Sequence, residues 1–448
     1  MTVDRREGKS KVLSFDDRVD PASTALVVID VQNDFALPQG VCGQVGDDIS
    51  PVAPMVRRLK QLIDAARTAN VLVVFVRTIY DEPVLSHALA EQYLRRGYPN
   101  SICLSGTPGA EFYDGLGPRD APNEVLITKH RYSAFWGSSI DLVLRSNAIR
   151  TVVLAGIATE VCVESTARDA FFKDYQVVVA SDCVGSYSEE RQKASLTVIA
   201  RSFGIVSSHT DIAAVWRRRA NGTRNWQPAA RAERALTTQA SRLRPVHTAL
   251  LLINVQRNFF GDEGALAQKK LNTALIAALP RLRRLLDEAR NAGCLVIHAR
   301  SLRGGQDGIG TAPALSEIDV CGSRGAELMD GFGPIGDEQV VTCQRSSGFA
   351  DTQLDVLLRS NAIRTVVVAG ATTNGAIETT AREASDRDYH VIVCEDGVAA
   401  LDSETDLHKA SLTNTARYFG EVASSETIIA HWRTDCATTD NQLAAQAP

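Results

Sequence analysis

Along the first half of the chain, short uninterrupted apolar runs alternate with longer segments whose apolar residues recur at helical spacing. The runs are ALVVIDV from Ala25, VLVVFVRT from Val71, EVLITK from Glu124, TVVLAG from Thr151 and QVVVAS from Gln176, and the clearest helical stretch between them is PMVRRLKQLIDAARTA from Pro54. Strands that are apolar on both faces and alternate with helices belong to a parallel sheet covered on both sides. The predicted class is α/β, with a doubly wound parallel sheet.

The pattern then repeats. LRSNAIRTVV occupies Leu144 to Val153 and, unchanged, Leu358 to Val367. Around it TALVVIDVQNDF matches TALLLINVQRNF, AGIATEVCVESTARDA matches AGATTNGAIETTAREA, and KASLTVIARSFG matches KASLTNTARYFG. The separation is far longer than the roughly 20 to 50 residues of a solenoid repeat, so this is a duplicated domain. The predicted order is an N-terminal extension (1–23), a first domain (24–216), a linker (217–246), a second domain (247–433) and a C-terminal tail (434–448). Trp216 and Trp432 mark matching domain ends. The linker is polar and rich in Arg and Ala, which reads as a solvated connector, with a docking patch as the alternative.

Composition narrows the partners. With 448 residues, 44% hydrophobic, 23% charged and a net charge of -5, the chain has apolar material for two cores but no excess of positive charge for nucleic acid or anionic lipid. No apolar stretch approaches the roughly 20 residues of a membrane span. The charged start, MTVDRREGKSKVLSFDD, lacks the apolar segment of a secretory signal, so the cytoplasm is the expected location. Nine scattered cysteines (Cys42, Cys103, Cys162, Cys183, Cys294, Cys321, Cys343, Cys394 and Cys436) form no CxxC pair and read as free thiols.

In open α/β sheets, ligands bind outside the carboxyl ends of the strands. Three polar residues of the first copy follow apolar strands there: Asp30 after ALVVI, Lys129 after EVLIT, and Cys162 just beyond TVVLAG, where ATEVCVESTARDAFF reads as the opening of a helix. A helix amino end and an ammonium group both favour thiolate, and a carboxylate beside them is placed to move the thiol proton to a departing amine. Singly, each has a plain structural alternative: a buried thiol, a turn cap, a solvated strand end. Their joint placement favours chemistry.

The blocks DVQNDF, TKHRYSAF and GIATEVCVESTARDAFF resemble the signature blocks of the isochorismatase-like cysteine hydrolases. The resemblance covers nearly all of the first copy. It implies a three-layer α/β/α sandwich, an Asp30, Lys129 and Cys162 triad, a cis peptide at Ile157–Ala158, and an oxyanion hole from the backbone N–H groups of Ala158 and Cys162. The implied reaction is metal-independent C–N hydrolysis of a small amide or ureide through a thioester, with release of ammonia. Ureidoacrylate amidohydrolases are the nearest subfamily, with biuret hydrolases and N-carbamoylsarcosine amidases beside them. Maleamate- or nicotinamide-like amides and esters are the alternatives, as is a non-catalytic metabolite-binding scaffold.

No cofactor is expected, and no metal, because the Asp and His site of nicotinamidases has no counterpart around the solitary His87. Four residues are candidates for substrate binding. Tyr132 either donates to a substrate carbonyl or packs on Phe135; Gln32 and Asn33 either face the pocket or fix their loop; Arg77 pairs either with a substrate carboxylate or in a surface salt bridge. In the second copy Asn254, Cys343 and Ala376 replace the triad, which predicts a pseudo-hydrolase domain with an inert Cys343 thiol. Family members commonly assemble in pairs, so the two domains are expected to pack together, with homo-oligomers as a further possibility.

Overall fold

The computed structural model describes residues 13–99, 101–220, 239–262, 264–302 and 323–444. Residues 1–12 of the expected extension, 221–238 of the expected linker and 445–448 of the expected tail lie outside them, as does Cys321. The described residues divide into two compact units, 13–220 and 239–444.

In the first unit the apolar runs form strands β1 (Thr24–Ile29), β2 (Leu72–Thr78), β3 (Glu124–Lys129), β4 (Thr151–Ile157) and β5 (Gln176–Gly185). A sixth, β6 (Ile205–Ser207), is too short to stand out in the sequence. All pair in parallel in the order β3-β2-β1-β4-β5-β6, the doubly wound arrangement in which strand order reverses between β1 and β4. Every residue of β1 is buried, and its alternation feeds two cores. Leu26 and Val28 pack with Met55, Leu59, Leu62 and Ile63 of helix α1 (Val52–Thr68). Ala25, Val27 and Ile29 face Ile140, Leu144 and, from the helix Glu164–Phe172, Ala167 and Ala170. The predicted three layers are therefore present.

Residues just before Thr24 join this unit. Val19 is fully buried, and its carbonyl accepts from the Trp216 indole N–H at 3.0 Å. The helix His209–Arg219 carries the chain past Trp216, and its last arginines pair with acids near the start: Arg218 with Asp16 at 2.8 Å, and Arg219 with Asp17 at 2.9 Å and Asp20 at 3.0 Å.

The second unit repeats the design. Strands β7 (Thr248–Ile253), β8 (Leu295–Ser301), β9 (Gln339–Cys343), β10 (Thr365–Ala371), β11 (His390–Ala399) and β12 (Glu421–Ala423) form a sheet in the order β12-β11-β10-β7-β8-β9. Leu250 and Leu252 enter one core, and Ala249, Leu251 and Ile253 the other. Among the described residues, no helix is long and apolar enough to cross a membrane.

One glycine is indispensable to the central crossover. Gly156 sits in β4 opposite Ile29 with φ 120°, and a Cβ there would lie 2.0 Å from the Ile29 carbonyl oxygen. Gly370 repeats both features against Ile253. Gly156→Ala is expected to cost about 3 kcal/mol or more, because left-handed strain and a backbone clash add. Differential scanning calorimetry should show the first unit melting lower by roughly 6 °C or more. Gly46→Ala, with φ 92° but open space around it, should lose much less.

Candidate active site

Three strand ends deliver the predicted residues to one point. Asp30 directly follows β1 in a left-handed conformation, φ 53°, which Asp tolerates better than most residues. Lys129 ends β3, the edge strand, so its long side chain must cross β2 to meet β1. Its Nζ lies 2.7 Å from Asp30 Oδ2 and donates to Thr78 Oγ1 at 2.7 Å, to the Arg131 carbonyl at 2.9 Å and to Cys162 Sγ at 3.6 Å. The Thr78 hydroxyl in turn donates to Asp30 Oδ1 at 2.9 Å. Thr78 closes β2 just as Lys129 closes β3, so position alone could have flagged it.

Cys162 lies in a π-turn, Thr159–Val163, that opens helix α2 (Glu164–Phe172). The Val163 N–H reaches back five residues to the Ala158 carbonyl at 3.2 Å, and such wide turns are frequent at functional sites. The peptide Ile157–Ala158 is cis.

The cluster is almost dry: Lys129 is 0% exposed, Asp30 1% and Cys162 8%. Burial pushes the Cys162 thiol well up; Lys129 opposes that shift and Asp30 adds to it. Burial acts to lower the Lys129 ammonium, but Asp30 and Cys162 outweigh it and the group is held well up. This differs from the resting thiolate that helix dipole and ammonium alone suggest, because desolvation and a neighbouring carboxylate oppose a second negative charge. Burial therefore works against a negative sulfur, and Lys129 is the group that opposes that effect.

Above the sulfur lies a cavity of about 40 Å³. Asp30, Cys162, Ile157, Ala158 and Val161 bound it from the strand ends, together with Phe35, Cys42, Tyr132 and Tyr187. Tyr80, Tyr93, Arg96, Tyr98 and Ile102 come from the segment between β2 and β3. That segment has its own small core, which includes Leu89 and Cys103. Tyr93, Arg96 and Tyr98 of this wall were not singled out in the sequence, because nothing in their local spacing ties them to a strand end; Tyr80 and Tyr187, two residues beyond β2 and β5, could have been flagged by position as Thr78 could.

The other candidates separate cleanly. Tyr132 lines the cavity. Gln32 does not: it is fully buried, its amide donates to the Thr78 and Ala110 carbonyls, both at 2.9 Å, and its carbonyl accepts from the Thr78 N–H at 2.7 Å. Gln256 makes the same set with Ser301 and Ala326, so this residue fixes the loop in both units. Asn33 donates to the Pro108 carbonyl at 2.8 Å. Arg77 donates to Thr128 Oγ1 at 3.1 Å and is not part of the cavity wall. His87 is exposed at the start of the helix His87–Arg95.

Among the described residues, one group brings three metal-type donors within 4.8 Å: Asp182, Cys183 and His209. Its polar atoms are engaged as a helix start, with the His209 N–H on Asp182 Oδ1 at 2.9 Å and His209 Nε2 3.0 Å from Gln61 Oε1. In the second unit the Ser425 N–H meets Asp396 Oδ1 at 2.7 Å in the same way.

The second unit keeps this frame with different side chains. Asn254 has φ 52° and the peptide Ala371–Thr372 is cis. The π-turn Thr373–Ile377 opens the helix Glu378–Asp386. Where the first unit has ammonium and thiol, this one has Cys343 and Ala376, and burial alone pushes the Cys343 thiol up to about 11.

A family model described as "Isochorismatase domain" matches residues 24–211 and 248–427. The chain is similar to a ureidoacrylate amidohydrolase of Caulobacter segnis, 36% identical over 206 residues, which is 43% of this chain and 85% of that protein. Similar solved structures include a cysteine hydrolase from Pseudomonas syringae, at 27% identity over 47% of this chain and 99% of that one, with a TM-score of 0.41. Another is an N-carbamoylsarcosine amidase from Thermoplasma acidophilum, at 27% identity over 42% and 96%, with a TM-score of 0.34.

Proposed function

Because the chain belongs to the isochorismatase family in both of its halves, we propose that it is a cysteine amidohydrolase whose chemistry resides in the first domain alone. It cleaves the C–N bond of a small amide or ureide. The single observation that carries this reading is the contact of Asp30, Thr78, Lys129 and Cys162 in one buried cluster, of which Asp30 and Cys162 line a cavity.

In this reading Asp30 takes the thiol proton as Cys162 attacks the substrate carbonyl, and Lys129 stabilises the sulfur while it is negative. The Lys129–Thr78–Asp30 hydrogen bonds hold the carboxylate in place for that transfer. The carbonyl oxygen gains charge against the backbone N–H groups of Ala158 and Cys162, preorganised donors that need no reorientation. Collapse of the tetrahedral intermediate breaks the C–N bond, Asp30 returns its proton to the departing nitrogen, and a thioester on Cys162 remains. Water, deprotonated by Asp30, then releases the acid or carbamate and restores the thiol. A carbamate product decomposes to carbon dioxide and a second amine.

Similarity to a ureidoacrylate amidohydrolase and the narrow cavity favour a ureide or carbamoyl substrate. The test is an ammonia-release screen of the full-length protein over ureidoacrylate, biuret, N-carbamoyl amino acids, maleamate and nicotinamide, with Cys162→Ala as control. Turnover of at least one compound that vanishes in the control supports the reading; no turnover, or turnover that survives the substitution, overturns it.

A further inference from the structure

The cavity wall contains a positive charge that the reaction above does not use. Arg96 terminates the helix His87–Arg95 and borders the cavity that Asp30 and Cys162 also line. Its guanidinium lies 4.7 Å from the centre of the Tyr98 ring and donates to the Tyr98 hydroxyl at 3.3 Å, and Tyr132 borders the same cavity. Asp47 is the carboxylate that acts on it, yet Asp47 is itself engaged by the Tyr98 hydroxyl. Among the described residues, no carboxylate forms a direct ion pair with Arg96.

Other arginines of this unit contrast with it. Arg67 is paired with Glu124, Arg145 with Asp141 and Arg168 with Glu164. Arg96 instead has the Tyr98 hydroxyl as its hydrogen-bond partner and lines the cavity together with Tyr98 and Tyr132. An arginine fork binds carboxylate in two parallel hydrogen bonds, and the Tyr132 hydroxyl on the same cavity wall adds a donor, while the Tyr98 proton is already given to Asp47 and its ring flanks the guanidinium.

We propose that Arg96, with Tyr98 and Tyr132 beside it, is the specificity-determining anchor for a carboxylate at the end of the substrate remote from the scissile carbonyl. The preferred substrates are then small, largely planar ureides or amides that carry one negative charge. The carbonyl faces Cys162, the carboxylate meets Arg96, and the tyrosine walls hold the apolar connection between them. Arg77, the guanidinium that sequence position suggested for this task, lies outside the cavity. This inference rests on the reading of Cys162 as the attacking sulfur, but it can be tested without any turnover.

The test compares alkylation of Cys162 in the full-length protein by iodoacetate and by iodoacetamide, reagents of nearly equal size that differ in charge. Peptide mass mapping separates Cys162 from Cys42, which borders the same cavity. The ratio of the two rates cancels thiol ionisation, and the iodoacetamide rate reports whether a variant is folded. Arg96→Gln is expected to lower the iodoacetate-to-iodoacetamide ratio roughly tenfold, whereas Arg96→Lys, which keeps the charge, should retain most of it. A ratio that Arg96→Gln leaves unchanged overturns the inference, and so does a Cys162 that takes neither reagent. If Cys162-dependent turnover is found while the ratio ignores Arg96, the proposed function stands and this anchor falls. If the ratio responds but no amide or ureide is turned over, the anchor stands and the proposed function falls.

Discussion

Replacing Cys162 by Ala is expected to lower kcat on the best substrate of the screen by roughly a thousandfold or more, with the protein still folded. In the proposed reaction the sulfur is the atom that becomes acylated, and Cys42, which borders the same cavity, is a poor substitute because burial pushes its thiol up to about 12. The substitution removes one buried atom and leaves the Asp30–Lys129 pair intact, so melting should change little. Cys343→Ala is the matched control. That thiol ends β9, and among the described residues no ammonium or carboxylate acts on it, so that burial is the influence that shifts it. Its loss should leave kcat within about twofold. Steady-state ammonia release by the two variants decides the matter, and comparable losses from both would place chemistry in the second domain as well.

How far the sequence reaches depends on how local the signal is. The five longer strands of the first unit are legible because each is an apolar run bounded by polar residues, and the two-sided burial of β1 follows from its lack of alternation. β6 and β12, three residues each, are too short to carry a pattern. Asp30, Lys129 and Cys162 are legible because a strand end fixes where each residue sits whatever the loops do. Arg96, Tyr93 and Tyr98 are not, since they reach the cavity from a segment whose path depends on its own small core. Gln32 has the right address, next to Asp30, but its amide is consumed by the backbone of β2 and the loop before β3. The sign of the shift at Cys162 is also beyond the sequence. A count of nearby charges favours thiolate; the depth of burial, known only from the fold, reverses it.

The second unit supplies the design for the last experiment, because it shows how this frame is filled without ions. Asn254 occupies the position of Asp30 with nearly the same backbone angle, 52° against 53°, and Cys343 closes β9 where Lys129 closes β3. Removing one ion alone leaves its partner charged and unmatched in a nearly water-free site. Lys129→Met is therefore expected to destabilise the first unit by about 3 to 5 kcal/mol, and Asp30→Asn, which strands the buried ammonium, by a comparable amount. With both substitutions no charge is left to desolvate, so Asp30→Asn with Lys129→Met should lose far less than the sum. A double-mutant cycle on urea unfolding of the first unit should give a coupling of roughly 2 kcal/mol or more. All three variants should be inactive, since each lacks the base, the ammonium or both. Stability that recovers without activity separates the two roles of the pair. Additive losses would mean that the ions do not depend on each other, and the proton-transfer role assigned to Asp30 would lose its physical basis.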